Sequence, residues 1–391
     1  MNRQAMGIKA QRFHFDPMLV AVTLALLLIG YAMVASSSLH LGLEQKQDSF
    51  YYPIRQLVHI LLGLGLGLAV ARVPMASWEK LGSGLFIGGL FLLFIVLIPG
   101  LGVKVNGSIR WLSLGGLRIQ VSEVVKFFSV IYMASYVTRH KENLQGSALG
   151  LFKPLLLFFV ACVLLLLEPD FGSAVVILMI AMGVMFLGGA RLKQFIILLA
   201  LFIALAASLV IVAPYRMARV LSFLNPFDDY LKSGYQLSQA LISFGRGEVL
   251  GVGLGSGIQK LFYLPEAHTD FLFSVIGEEL GLLGVMTVVG LFALLIWRTF
   301  TIAVAAEQSG QQFSAFIAYG LGIWIGFQSF VNMGVNMGIL PTKGLTLPLM
   351  SYGGSSMIVM CCAFTLLFRV HSETAALNAE TPQARSKWAS A

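Results

Sequence analysis

The sequence predicts an all-α polytopic membrane protein of about ten transmembrane helices, with one large extracytoplasmic loop between spans 7 and 8. Three observations carry that reading. Charged residues make up 11% of the 391 residues, under half of the roughly 25% usual in a soluble domain. Hydrophobic residues make up 58%, and the mean hydropathy is +0.85. The apolar residues also come in runs of roughly 20, the length a helix needs to cross a bilayer.

Taken in order, the spans fall at 17–36, 54–73, 83–100, 120–138, 152–168, 170–189, 192–213, 270–297, 312–336 and 348–369. The first follows Arg3, Lys9 and Arg12 as a secretion signal would. It is longer than a signal's apolar region and many equal runs follow, so it reads as an uncleaved span. Ten is even, which puts both termini on one side. A cytoplasmic N-terminus places Arg72, Lys80, Arg139, Lys141, Lys153, Arg191, Lys193, Arg298, Arg369, Arg385 and Lys387 inside. The short loops of the other face hold chiefly Lys46, Lys104, Arg110, Arg118 and Lys343, and this bias predicts N-in, C-in. The chain then forms one membrane domain over 1–391: a cytoplasmic segment 1–16, a core 17–369 with the outer loop 214–269, and a polar, flexible cytoplasmic tail 370–391.

The net charge of +8 does not point to nucleic acid, because the bases are scattered singly among short loops. Cys162, Cys361 and Cys362 lie inside apolar runs, without metal-ligand spacing or a disulfide framework, and read as packing residues. No zinc-type histidine spacing and no nucleophilic triad can be assembled.

Five stretches concentrate the polar residues. "VNGSIRWLSLGGLRIQVSEVVKF" (105–127) carries turn signals at Asn106-Gly107 and Gly115-Gly116, predicting a small hairpin-like excursion that presents Arg110 and Arg118. Glu123 and Lys126 then enter the fourth span on one helical face. They either neutralise each other in a packed interior or mark a cationic path for an anionic ligand. "LEPDFGSA" (167–174) puts Glu168 and Asp170 in a tight connection, either as a helix-capping turn or as acids lining a central cavity. "GVGLGSG" (251–257) lacks the strand and helix of a dinucleotide site, and reads as a tight backbone path beside a ligand or partner. "LPTKGLTLPLMSYGGSSM" (340–357) breaks the entry to the last span, offering Ser351, Tyr352, Ser355 and Ser356 to a cavity.

The fifth, "YLPEAHTDFLFS" (263–274), gathers Glu266, His268 and Asp270 at the lip of an apolar span that also contains Glu278 and Glu279. Thr269 is placed to cap that span, with Asp270 in its first turn. Dipole stabilisation there is worth at most about 2 kcal/mol. Desolvation at a dry site raises a carboxylate by up to about 3–5 units, and would make Asp270 a general base near neutral pH.

Together "NGSIRWL", "RIQVSEVVK", "EPDFGSA", "RVLSFLNPFDD", "GYQLSQALISFGRGEVLGVGLG", "YLPEAHTDFLFSVIGEELG" and "LPTKGLTLPLMSYGGSS" resemble the shape, elongation, division and sporulation (SEDS) family, and its cell-division branch more than its elongation branch. The motifs run in family order from 106 to 356. "EPDFG" departs from the family's more usual QPDLG-like wording, and "QVSE" lacks the Pro often found after the Gln. The resemblance implies a peptidoglycan glycosyltransferase that polymerises lipid II at the division septum, in the inner membrane. It implies Asp270 as catalytic base, functional roles for Arg118 and Lys126, and a substrate site to which Arg110, Glu123, Glu266, His268 and Ser355 would add. A divalent cation, Mg or Mn, could assist, with Glu168 and Asp170 as candidate ligands. Implied partners are an FtsI-like class B penicillin-binding transpeptidase and the FtsQ, FtsL and FtsB division proteins. The alternative is a lipid II flippase built on the same cavity.

Overall fold

Short polar interruptions decide where the helices start. Asp16 caps the first by accepting the Leu19 N–H at 2.9 Å, directly ahead of Pro17, whose missing N–H costs nothing at that position. Helices α1 (Pro17–Lys46), α2 (Tyr51–Arg72) and α3 (Met75–Val96) lead to three strands, β1 (Gly102–Val105), β2 (Ser108–Leu114) and β3 (Leu117–Gln120). There follow α4 (Val121–Arg139), the short α5 (Lys141–Gly146), α6 (Ala148–Leu167), α7 (Phe171–Leu187), α8 (Leu192–Val212), α9 (Pro214–Leu224) and α10 (Tyr235–Gly247). The chain closes with α11 (Leu272–Gln308), α12 (Gln312–Asn336) and α13 (Gly354–Glu380). This computed structural model describes residues 13–105, 108–115, 117–146, 148–228 and 234–380. The Asn106-Gly107 turn, the Gly116 half of the second turn, and Arg3, Lys9, Arg12, Arg385 and Lys387 lie outside the described residues.

Among the described residues nine helices are long and apolar enough to cross a membrane, and the 17-residue α7 is a tenth, shorter apolar helix. Burial runs against hydropathy. The most apolar window, in α8, is 6% buried, whereas the α4 window, at the lowest mean hydropathy of 1.2, is 83% buried. In a bilayer the lipid-facing helix must be apolar all round, while a central helix can direct polar side chains at its neighbours. α4, α7 and α12 thus form the centre, with α2, α3 and α8 exposing leucines, isoleucines and phenylalanines outward.

Several boundaries differ from the sequence reading, and α1 and α11 run on to Lys46 and Gln308 rather than ending at 36 and 297. α3 begins at Met75 rather than 83, because Pro74 starts the helix well ahead of its most apolar stretch. α13 begins only at Gly354, since residues 337–353 form an irregular entry in place of a regular turn of helix. The expected tail from 370 is helical through Glu380: Arg369 pairs with Glu373 at 2.7 Å, and the Thr374 hydroxyl donates to Gln311 at 2.8 Å. The expected hairpin carries a third strand. The sheet order is β1-β2-β3, antiparallel throughout, with Ser113 opposite Arg118 and Trp111 opposite Gln120. With consecutive crossings alternating in direction, the sheet, the 168–170 turn, the 213–271 stretch and the 337–353 entry all lie at one end of the bundle.

Candidate active site

These four connections enclose a cavity of about 480 Å³ at that end. Its charged walls are Arg110, Glu123, Asp170, Glu266, Asp270 and Lys343, and Ser355, Ser356 and Tyr352 add hydroxyls.

Arg110 projects from β2 onto the 168–170 turn. Its Nε donates to the Glu168 carbonyl at 2.9 Å, and a terminal N–H donates to the Pro169 carbonyl at 2.6 Å. The guanidinium is therefore held by backbone oxygens and keeps its formal charge uncancelled by a carboxylate bond in these contacts. Asp170 caps α7 by accepting the Ser173 N–H at 3.2 Å, and its other oxygen accepts from the Ser122 hydroxyl at 2.9 Å and the Gln120 amide at 3.4 Å. Both sequence readings of Asp170 hold at once: it caps a helix and lines the cavity. Glu168 is wholly buried, and neither carboxylate oxygen has a hydrogen-bond partner. Burial, reinforced by the neighbouring Asp170 charge, pushes its carboxyl up to about 8 against the opposing pull of Arg110. Only Asp170 of this pair faces the cavity, and both its oxygens accept protein hydrogen bonds, so Glu168 and Asp170 do not fit together as ligands to one cation. Among the described residues no group of three or more His, Cys, Asp and Glu side chains comes together.

Asp270 is half-buried and lies before α11, not in its first turn. The residue at the N-cap is Phe271, and Thr269 instead donates to the Glu266 carboxylate at 2.8 Å. The reason is a competing set of bonds. The Phe271 N–H donates to the Glu266 carbonyl at 3.2 Å, closing a turn ahead of the helix. The Asp270 carbonyl accepts from the Asn332 and Asn336 amides of α12 at 2.9 and 3.0 Å. A Cβ on Gly344 would stand 3.0 Å from Asp270 Oδ2, so the glycine lets the 342–346 segment pass close to the carboxylate without crowding it. Its neighbour Lys343 sits 4.4 Å over the Phe171 ring.

Lys126 lies beneath the cavity floor rather than in its lining. It is fully buried, pairs with Glu123 at 2.7 Å, donates to Gln328 Oε1 at 3.1 Å and sits 5.7 Å from the Trp324 ring. Gln328 accepts a further bond from the Trp324 indole N–H at 2.9 Å and donates to the Thr346 carbonyl at 2.9 Å. Glu123 completes this network from above, facing the cavity. Arg118 is exposed on β3 and outside the lining, and Ser355 accepts the Gln120 N–H at 3.1 Å. His268 packs at a tilt against the Tyr52 and Tyr352 rings, with centroids at 5.0 and 5.3 Å, outside the lining, and burial holds its imidazole below the ordinary value against the pull of Glu266. The structure thus brings Arg110, Glu123, Asp170, Glu266, Asp270 and Ser355 to one cavity and leaves Arg118, Lys126, Glu168 and His268 around it.

The glycine-rich 251–257 stretch turns out to serve the chain's own acids. Glu279 accepts from the Gly255 N–H at 3.0 Å, the Ser36 hydroxyl at 2.7 Å and the Lys260 ammonium at 2.6 Å; Glu278 accepts the Ile258 N–H at 2.9 Å. Sequence reasoning missed Lys260, Asn332, Asn336 and Gln328. The one legible signal was the polar spacing of Gln328, Asn332 and Asn336 at every fourth residue of an apolar span, which marks one face of a helix.

A family model described as Cell cycle protein (FtsW, RodA, SpoVE) matches residues 17–376. A Methylomonas methanica protein named probable peptidoglycan glycosyltransferase FtsW is 64% identical over 378 residues, covering 97% of each chain. Its counterpart of the same name in Methylococcus capsulatus is 58% identical over 94% of this chain and 92% of that one. Among solved structures, a chain from a peptidoglycan synthase complex that coordinates polymerization and crosslinking superposes with a TM-score of 0.74 at 31% identity, covering 92% of this chain and 98% of that one. The Thermus thermophilus rod shape determining protein RodA superposes with a TM-score of 0.67 at 29% identity, over 92% and 97% of the two chains. Matched over nearly its whole length, with every loop of the cavity inside the match, this chain belongs to the FtsW/RodA/SpoVE family of cell cycle proteins.

Proposed function

We propose that this chain is a peptidoglycan glycosyltransferase of cell division, which polymerises lipid II on the outer face of the inner membrane. The observation that carries the reading is Asp270, a half-buried carboxylate at a cavity whose other walls bear Arg110 and Lys343. Asp270 takes the proton of the acceptor GlcNAc 4-hydroxyl as that oxygen attacks the anomeric carbon of the donor MurNAc. The bond from that carbon to the pyrophosphate oxygen breaks with inversion, and undecaprenyl pyrophosphate leaves. Charge developing on the leaving oxygen meets Arg110 and Lys343, fixed donors in a partly water-excluded site. Arg118, exposed on β3, receives the arriving pyrophosphate, and Lys126 holds the Glu123 side chain from below in their ion pair. Glu266 and Ser355 hold the sugars and the peptide, and His268 supports that wall from behind, packed against Tyr52 and Tyr352.

The termini lie in the cytoplasm, and the protein works at the septum with a class B penicillin-binding transpeptidase and FtsQ, FtsL and FtsB. Its likeness to a chain of a polymerizing and crosslinking complex supports the first of these partners. Charged groups gathered at one end favour a one-sided reaction over a translocation path, which needs polar groups across the whole thickness. The test is lipid II polymerisation by the purified protein with its transpeptidase. Glycan strands from wild type and none from a folded, partner-bound Asp270→Asn protein are expected. Equal strands from both would remove Asp270 as the base, and lipid II crossing vesicle membranes without strands would make the chain a flippase.

A further inference from the structure

Asn332 and Asn336 stand one turn apart on α12, 2% and 0% exposed, with their side chains on one face. Both give an amide N–H to a single acceptor, the Asp270 carbonyl, at 2.9 and 3.0 Å. Asn332 also donates to the Leu345 carbonyl at 2.6 Å, and Asn336 to the Asn332 carbonyl at 2.8 Å. The Asn336 side-chain oxygen accepts the N–H and the hydroxyl of Ser274 at 3.0 and 2.7 Å, which fixes which way its amide points.

Helix packing alone does not call for this arrangement. Burying a primary amide in a membrane bundle is costly unless its donors are used, and here three of the four donated bonds leave α12, two for the turn before α11 and one for the 340s segment. Those are the two pieces of chain on either side of the Asp270 carboxylate: the backbone it grows from and the segment of Gly344, where an added Cβ would stand 3.0 Å from Oδ2. Because Asp270 lies outside α11, side chains of another helix hold its peptide.

We propose that Asn332 and Asn336 are positioning residues for the transfer reaction, holding Asp270 and the Lys343-Gly344 segment in register. This rests on the reading of Asp270 as the base. A displacement of about 1 Å in such a group costs on the order of a hundredfold in rate.

Three full-length proteins in complex with the transpeptidase test it: Asn336→Asp, which keeps the acceptor to Ser274 and loses both donations; Asn332→Leu; and Asp270→Asn. Lipid II turnover, lipid II binding and melting temperature are measured for each. Positioning predicts that both asparagine variants bind lipid II as wild type does, lose at least tenfold in kcat, and show a displaced acid limb in the pH dependence of kcat. A purely structural role would lower binding stoichiometry and kcat together and leave that limb in place, overturning the proposal. Should Asn332→Leu fail to fold, Ser274→Ala, which removes only the hydroxyl orienting the Asn336 amide, is expected to lose at least threefold in kcat. If Asp270→Asn is inactive while folded asparagine variants turn over like wild type, positioning fails and the base stands. If Asp270→Asn is active, the base assignment itself fails.

Discussion

At the scale of single residues, two buried acids give opposite tests. Glu168 has a folded-state pKa of about 8 against an ordinary 4.5, and no partner for either oxygen. A group whose pKa is raised by folding contributes stability that is complete below pH 4.5 and is lost as pH rises through about 8. Glu168→Gln should therefore leave the melting temperature nearly unchanged near pH 5 and raise it increasingly toward pH 9. Parallel curves for the two proteins would show that the carboxyl is already ionised in the fold. Glu123 is the reverse case, an acid whose partner is in place. Lys126→Met strips the ammonium from a pair held at 2.7 Å and should cost about 3–5 kcal/mol, the usual result of leaving one buried charge alone. Adding Glu123→Leu should restore most of that loss, measured by thermal unfolding in detergent. The EPDFG wording made the position of Glu168 visible in the sequence, but not its isolation. Whether a carboxylate meets Arg110 depends on where the guanidinium points, and it points at backbone oxygens.

At the scale of elements, α11 and the 251–257 stretch behave as one unit. α11 breaks at Gly281, whose φ of +62° is left-handed. A Cβ there would strike the Gly251 N–H and the Val249 carbonyl. Gly281→Ala should cost more than the roughly 1–2 kcal/mol of left-handed backbone alone, because the contacting atoms are backbone and cannot swing away. Lys260→Met leaves Glu279 buried with only the Ser36 hydroxyl and the Gly255 N–H, and should release the 251–257 stretch to proteolysis. Protease resistance equal to wild type would show that the backbone bonds suffice. The glycine spacing announced a tight path; its occupant was hidden, since Glu278 and Glu279 are close to it only after α10 and α11 fold back on each other.

At the scale of the whole molecule, the alternating crossings make a prediction about sidedness. Lys46 and Gln308 are exposed at opposite ends of the bundle, and Cys162, Cys361 and Cys362 are buried. A membrane-impermeant thiol reagent should label Lys46→Cys in intact spheroplasts and Gln308→Cys only after permeabilisation. The opposite pattern would invert the topology and place the cavity in the cytoplasm.

By itself the sequence determined the class, the count and rough place of the spans, the hairpin after the third, and the stretches in which charge collects. All of these follow from local quantities: apolar run length, turn residues, and the rarity of charge in a chain whose environment penalises it. Tertiary structure alone decided which charges share a cavity and which are walled off. Arg110 and Arg118 lie close together along the chain, yet register on the sheet sends one into the cavity and leaves the other exposed on β3. Asp270 looked like a helix residue, because an acid after a threonine favours a first turn. It sits outside the helix because two amides some sixty positions further along compete for its carbonyl, and a contact at that separation exists only once the helices have packed.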